Sequence, residues 1–221
     1  MSFISDNISS LKRQIPSYVK LVAVSKGRPV SDILEAYNGG HRIFGENRVQ
    51  ELLSKKDLLP GDIEWHLIGH LQTNKVKYVV PFVSMIQSVD SFKLLRAVNT
   101  AALKINRRID CLLQFHIAEE ETKYGFALKE VRELAGSDEV RRMEAVRICG
   151  VMGMATFTSD MEQVRDEFRY LAACFRELKQ DFFADKDHFR EISMGMSGDY
   201  TVAIEEGSTV IRIGSIIFGG R

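Results

Sequence analysis

Short apolar runs alternate along the chain with longer stretches in which apolar side chains recur every three or four positions. The short runs fall at residues 21–25, 42–44, 63–68, 84–87, 110–116, 146–152, 191–194 and 210–213. Several are rich in Val and Ile, as strands buried on both faces of a parallel sheet are. Between them, residues 31–37, 49–56, 73–80, 91–104, 128–135, 160–178 and 198–206 carry helical spacing. Ser31 suits a helix cap and Gly207 a helix stop. Strand–helix alternation predicts right-handed parallel βαβ units. Eight strands in one α/β domain, residues 1–221, predict a single (β/α)₈ TIM barrel. The competing architecture is an open doubly wound sheet, which usually carries GxGxxG after its first strand. Here the first run leads into Ser25-Lys26-Gly27 instead.

Composition narrows the class of function. Hydrophobic residues make up 45% of the 221 and charged residues 27%, enough for a full core. Thirty basic residues balance thirty acidic ones. That balance lacks the basic excess of a nucleic-acid binder, so any anion site has to be local. Cys111, Cys149 and Cys174 are odd in number, and no pair has CxxC spacing. Cys111 and Cys149 lie in apolar runs, and buried free thiols fit a reducing cytoplasm. The first twenty residues lack the long apolar stretch of a signal peptide, and no segment has the length to cross a bilayer. The expectation is a soluble, cytoplasmic protein with no membrane or nucleic-acid partner.

In a (β/α)₈ barrel the chemistry sits at the C-terminal ends of the strands. The first run delivers Lys26. Desolvation at a barrel mouth disfavours an ammonium and frees a lysine amine as a nucleophile, which Schiff-base chemistry needs. A solvated loop lysine is the bland alternative. The second run ends in Phe44-Gly45-Glu46-Asn47. Gly45 lets a backbone approach a ligand and Asn47 offers both a donor and an acceptor, although Glu46 and Asn47 also suit a helix cap. The third contains His66 and His70. A zinc site needs more ligands at sensible spacing, so no metal is expected and His66 reads as a satisfied barrel-interior histidine.

The last two runs are the most informative. After the seventh comes Ser193-Met194-Gly195-Met196-Ser197-Gly198-Asp199-Tyr200, a Gly/Ser loop leading into a short helix. Its N–H groups and the Ser197 hydroxyl can hold an anion. The eighth, Val210-Ile211-Arg212-Ile213, runs into Gly214-Ser215. Barrels often bind phosphate with these two loops. Arg212 stands among apolar residues, where a charge needs a partner or a ligand. Two such loops facing a lysine across one mouth suit a ligand with a phosphate and an aldehyde, as pyridoxal phosphate has. Arg212 is then available to its pyridine nitrogen.

LVAVSK (21–26), FGENRVQE (44–51), WHLIGHLQTNK (65–75), QSVDS (87–91), ISMGMSGD (192–199) and STVIRIGSIIFGGR (208–221) occur in order along almost the whole chain. In these segments the sequence resembles the pyridoxal phosphate homeostasis proteins, relatives of the N-terminal barrel of alanine racemase. The resemblance implies an alanine racemase N-terminal-domain-like barrel binding pyridoxal 5′-phosphate, with Lys26 as the Schiff-base lysine. It implies Asn47 near the ring, Ser197, Gly214 and Ser215 at the phosphate, Arg212 at the pyridine nitrogen, and Met194 among the cofactor-binding residues. It also implies a role in vitamin B6 balance rather than an established reaction, with transient contact to apo forms of pyridoxal phosphate enzymes. Departures are His70 where the family often has Pro, Ser215 where it often has Thr, and Arg28 where several relatives have Lys. Relatives also carry a lysine-rich tail, whereas this chain stops at Arg221. Lys123 matches another family lysine and reads either as a cofactor acceptor or as a solvated charge.

A bound cofactor is itself capable of racemase chemistry. A racemase needs acid/base groups on both faces of its substrate, and in alanine racemase the second is a tyrosine from a C-terminal β-domain of the partner subunit. The chain as given ends soon after its eighth strand, so no such domain is expected and a monomer suffices. An arginine at the pyridine nitrogen stays charged and weakens the electron sink. These points favour a carrier over a catalyst. The alternatives are a weak amino-acid enzyme of racemase type, a Schiff-base aldolase and a pure interaction protein. A yellow protein inert to amino acids distinguishes the carrier from all three.

Overall fold

The computed structural model describes residues 3–119 and 124–220. Strands β1 (Lys20–Val24), β2 (Ile43–Glu46), β3 (Glu64–Leu67), β4 (Met85–Val89), β5 (Ile109–Gln114), β6 (Val146–Met152), β7 (Glu191–Ser193) and β8 (Val210–Ile213) close into a barrel in sequence order. Every pairing is parallel, and β8 returns to β1 with Leu21 opposite Ile211 and Ala23 opposite Ile213. The closed barrel, not the open sheet, is the architecture. Each apolar run of the sequence is one of these strands, within a few residues at the ends.

Alternation along each strand sorts side chains into two layers. Phe44, Trp65, Leu67, Ile86, Ile211 and Ile213 face the helices and join one continuous core with them. The lumen holds a separate small cluster of Met85, Leu112, Cys149 and Met152. Cys111, Cys149 and Cys174 are free and buried, as expected.

The helices are α1 (Phe3–Gln14), α2 (Val30–Asn38), α3 (Val49–Lys56), α4 (Val76–Val79), α5 (Phe92–Leu103), α6 (Leu128–Gly136), α7 (Asp138–Arg141), α8 (Met161–Asp181), α9 (Tyr200–Glu205) and α10 (Ser215–Phe218). Residues 73–80 do not form one helix: a 3₁₀ turn, Thr73–Lys75, runs into α4. Ser31 is not a cap. Pro29, at φ −68°, stands at the cap position of α2 and leaves Ser31 inside the first turn, because proline is already set for helix entry. None of the described helices is long and apolar enough to cross a membrane.

The sequence reading omits α1, although Ile4, Ile8 and Leu11 are spaced for one buried face. A twelve-residue helix is marginal alone. Burying those three side chains contributes about 2 kcal/mol each. The helix is anchored to α2 by the Ile4 N–H donating to Glu35 Oε1 at 3.0 Å, and to α10 by Asn7 Nδ2 donating to the Ile217 carbonyl at 3.0 Å. α10 has only four residues, and α1 packs between it and α2.

Candidate functional site

The β1 strand ends at Val24, and buried Ser25 opens a tight turn. The Arg28 N–H donates to the Ser25 carbonyl at 3.1 Å, and Gly27 sits at φ 71° in the third position. A type II turn needs a left-handed residue there, which glycine adopts at no steric cost. Lys26 is thus raised at the corner of the turn, and it is exposed rather than desolvated. Beside it, half-buried Asn47 precedes Arg48, which takes the cap position of α3, so Asn47 is not the cap. Its backbone lies against Gly69: a Cβ on Gly69 would come within 2.3 Å of the Asn47 carbonyl oxygen. At Gly45 the space a Cβ would enter is taken by the Val22 and Ile68 side chains.

Across the mouth, Met196 N–H donates to Asp199 Oδ1 at 2.5 Å, while the N–H groups of Asp199 and Tyr200 return to the Met196 carbonyl. This closes the β7–α9 loop. It leaves the Ser197 and Gly198 N–H groups with no acceptor among the described residues. Burial pushes the Asp199 carboxyl above its usual range, opposed by the Met196 N–H and the Arg212 charge. On the next strand Gly214 stands at the cap of α10 and Ser215 opens it. First-turn N–H groups have no partner within their own helix.

Arg212 points into the lumen and is 4% exposed. Its Nη1 donates to Ser193 Oγ at 2.6 Å and its Nη2 to the Gly153 carbonyl at 2.9 Å. Ser193 Oγ in turn donates to Gln87 Oε1 at 2.6 Å, and Gln87 Nε2 lies 2.8 Å from His66 Nδ1. β7 and β4 are not neighbours in the sheet, so the Ser193–Gln87 bond crosses the barrel. Burial lowers the Arg212 guanidinium to about 10, countered by Asp199; it remains a cation at neutral pH. Burial also lowers His66 to about 4, with the Lys20 charge adding to the effect. The buried Arg212 guanidinium is therefore satisfied by neutral acceptors, and His66 is the satisfied interior histidine that its setting suggests.

Lys26, Asn47, Ser197, Arg212, Gly214 and Ser215 all line one cavity of about 500 Å³. Met194 is not among its lining; it is fully buried in the outer core, since it continues β7 one residue beyond inward-facing Ser193. Lys123 lies outside the described residues. The sequence reading did not anticipate the far wall, made by Met154, Thr156, Phe157 and Thr158 from the β6–α8 loop. Glu167 fixes that wall by accepting from Thr156 N at 2.6 Å and from its hydroxyl at 2.7 Å. Its place after the sixth strand is the signal that could have marked it. A hollow of similar size, about 550 Å³, opens beside α7 and the end of α8 and holds none of these groups.

A family model described as the alanine racemase N-terminal domain matches residues 1–221. A pyridoxal phosphate homeostasis protein of Aquifex aeolicus is 40% identical over 203 residues, covering 91% of this chain and 87% of that one. The protein of that name from Bos taurus is 39% identical over 212 residues, covering 91% and 77%. Among solved structures, PipY of Synechococcus elongatus, with pyridoxal phosphate bound, matches at a TM-score of 0.89 and 35% identity, covering 98% of this chain and all of that one. An alanine racemase of Clostridium difficile, 13% identical at a TM-score of 0.74, shares the fold over 57% of its length. The chain belongs to the alanine racemase N-terminal domain family and, within it, to the pyridoxal phosphate homeostasis proteins.

Proposed function

We propose that this chain holds pyridoxal 5′-phosphate at the C-terminal mouth of the barrel as a Schiff base on Lys26, and serves cofactor homeostasis rather than turnover. The observation that carries the reading is the meeting of Lys26, Arg212 and the two Gly/Ser loops in one cavity. The donor set fits the group. Ser197, Ser215 and the uncommitted N–H groups of Ser197 and Gly198 suit a phosphate. Arg212 offers a cation toward a pyridine nitrogen, and Asn47 lies beside the space for the ring. Met194 has no part in the site proposed here. When bound, the cofactor supplies an aldehyde that condenses with a primary amine.

The relatives' names support the homeostatic role, and PipY supports the cofactor's identity. An arginine is a permanent donor with no proton to exchange at neutral pH, so Arg212 orients a ring nitrogen without protonating it. This argues against an efficient catalyst. Buried free thiols suit a reducing, cytoplasmic setting. A monomer is sufficient for holding the cofactor, and apo forms of pyridoxal phosphate enzymes are its transient recipients.

The test is the visible spectrum of the protein with pyridoxal phosphate, before and after borohydride, with the adduct located by peptide mass. A yellow band trapped on Lys26, absent in Lys26→Ala, and no turnover of amino acids is the expected result. Adducts scattered over surface lysines would overturn the site. Steady racemisation of an added amino acid would overturn the non-catalytic role.

A further inference from the structure

Lys26 stands between two hollows. On one side is the cavity above, and on the other a space of about 470 Å³ lined by Lys26, Gly27, Asn47, Arg48 and Glu51. Lys26 and Gly27 are exposed, so apolar packing does not set the turn that carries the lysine. Hydrogen bonds to charged groups, two of them buried and one half-buried, do. Ser25 Oγ donates to Glu46 Oε1 at 2.7 Å. Lys55 Nζ donates to the Ser25 carbonyl at 2.9 Å, to Glu46 Oε1 at 2.8 Å and to Glu51 Oε1 at 2.6 Å. Glu51 Oε1 also accepts from the Gly27 N–H at 2.5 Å. The residues on both sides of Lys26 are thus gripped by one network, and the three donors of the Lys55 ammonium are all used.

The network is costly where it lies. Glu46 is fully buried and Lys55 is 6% exposed, and Glu46 Oε2 has no hydrogen-bond partner among the described residues. Buried ion pairs commonly contribute no more stability than well-packed apolar side chains would. At a strand–helix interface that could be apolar, two carboxylates on one ammonium call for another explanation. We propose that Glu46, Lys55 and Glu51 are positioning residues for Lys26, fixing the 25–28 turn so that its amine is directed into the cofactor cavity. This rests on the reading of Lys26 as the cofactor-binding amine.

The experiment compares wild type, Glu51→Ala and Glu51→Gln by two readouts. One is the solvent exchange rate of the Gly27 amide by NMR. The other is the rate and site of pyridoxal phosphate trapping by borohydride. Glu51→Ala is expected to speed Gly27 exchange and slow trapping on Lys26, each about tenfold, the scale of one lost hydrogen bond to a charged group. Glu51→Gln keeps an acceptor for the Gly27 N–H and recovers most of both. Ser25→Ala removes the hydroxyl that bonds Glu46 and lies 3.4 Å from the Gly45 carbonyl; it gives a smaller slowing of the same sign and serves if Glu51→Ala does not fold. A folded Glu51→Ala protein with wild-type exchange and wild-type trapping would overturn the proposal. If wild type itself traps nothing on Lys26, the functional reading fails, and the Gly27 exchange rate alone then decides whether the network holds the turn.

Discussion

Arg212 and Ser193 meet across the seam between β8 and β7, 2.6 Å apart, and through that contact a cation on β8 is tied to Gln87 on β4. Ser193→Ala leaves an Arg212 donor and the Gln87 oxygen without their partner in a buried place. The expected loss is about 1–3 kcal/mol of stability, read from urea midpoints, with weaker cofactor binding because Arg212 is less firmly aimed. An unchanged midpoint would show that the crossing bond carries no stability.

Gly69→Ala is expected to act at a distance from any ligand. The added carbon would fall 2.3 Å from the Asn47 carbonyl oxygen and 2.8 Å from its Cα. Backbone has to move, at a cost of about 1–3 kcal/mol. Asn47 moves with it, so cofactor affinity falls as well. Affinity equal to wild type in a destabilised protein would separate Asn47 from the site.

The hydroxyls of Ser197 and Ser215 are expected to matter through affinity rather than fold. Ser197→Ala and Ser215→Ala each weaken pyridoxal phosphate binding about tenfold, the scale of a hydrogen bond to a charged group. Ser215→Thr keeps the hydroxyl and stays near wild type. Titration by absorbance gives the order; a Ser215→Thr variant as weak as Ser215→Ala would remove the hydroxyl from the account.

Acid sensitivity follows from two buried histidines. Burial lowers both His66 and His41 to about 4, with the Lys20 charge adding at His66 and Lys12 at His41. The unfolded chain binds those protons near pH 6.5, before the folded protein does. Their stabilising effect is therefore complete above about pH 6.5 and is lost as the pH falls toward 4, by up to about 3 kcal/mol each. Urea midpoints between pH 7 and 4.5 should fall steeply in wild type. His66→Gln, which offers Gln87 an oxygen in place of Nδ1, should flatten part of that slope; an equal slope would assign the effect elsewhere.

The barrel was legible because its strands are buried on both faces, and each therefore reads as an apolar run. α8 was legible for a related reason: Asp160 caps it through the N–H groups of Glu162 and Gln163, and Val164, Phe168 and Leu171 repeat along its buried face. Short elements such as α7 and α10 left no period to read, and residues 73–80 looked continuous because a three-residue 3₁₀ turn is too short for its period of three to be told from 3.6. At the site, Lys26, Arg212, Ser197, Gly214 and Ser215 were visible as chemistry misplaced in an apolar pattern or as Gly/Ser after a strand. Met194 shows the limit: one step along a strand reverses a side chain, and the motif that contains it says nothing about direction. Glu46, Glu51 and Lys55 were invisible in this role, since FGENRVQE presents the two acids as an ordinary charged helix start and Lys55 follows on the same helix.

The lumen chain also has a polarity. Arginine can only donate, so Ser193 accepts from it, and the Ser193 hydroxyl gives its own hydrogen to the Gln87 oxygen. Gln87 then has only its NH₂ group to present to His66, whose Nδ1 must be the bare nitrogen. The histidine's tautomer is dictated by a guanidinium three side chains away, and ¹⁵N chemical shifts should find His66 protonated on Nε2 alone. The barrel floor is wired in one sense, from the Arg212 guanidinium, which only donates, to the bare His66 Nδ1.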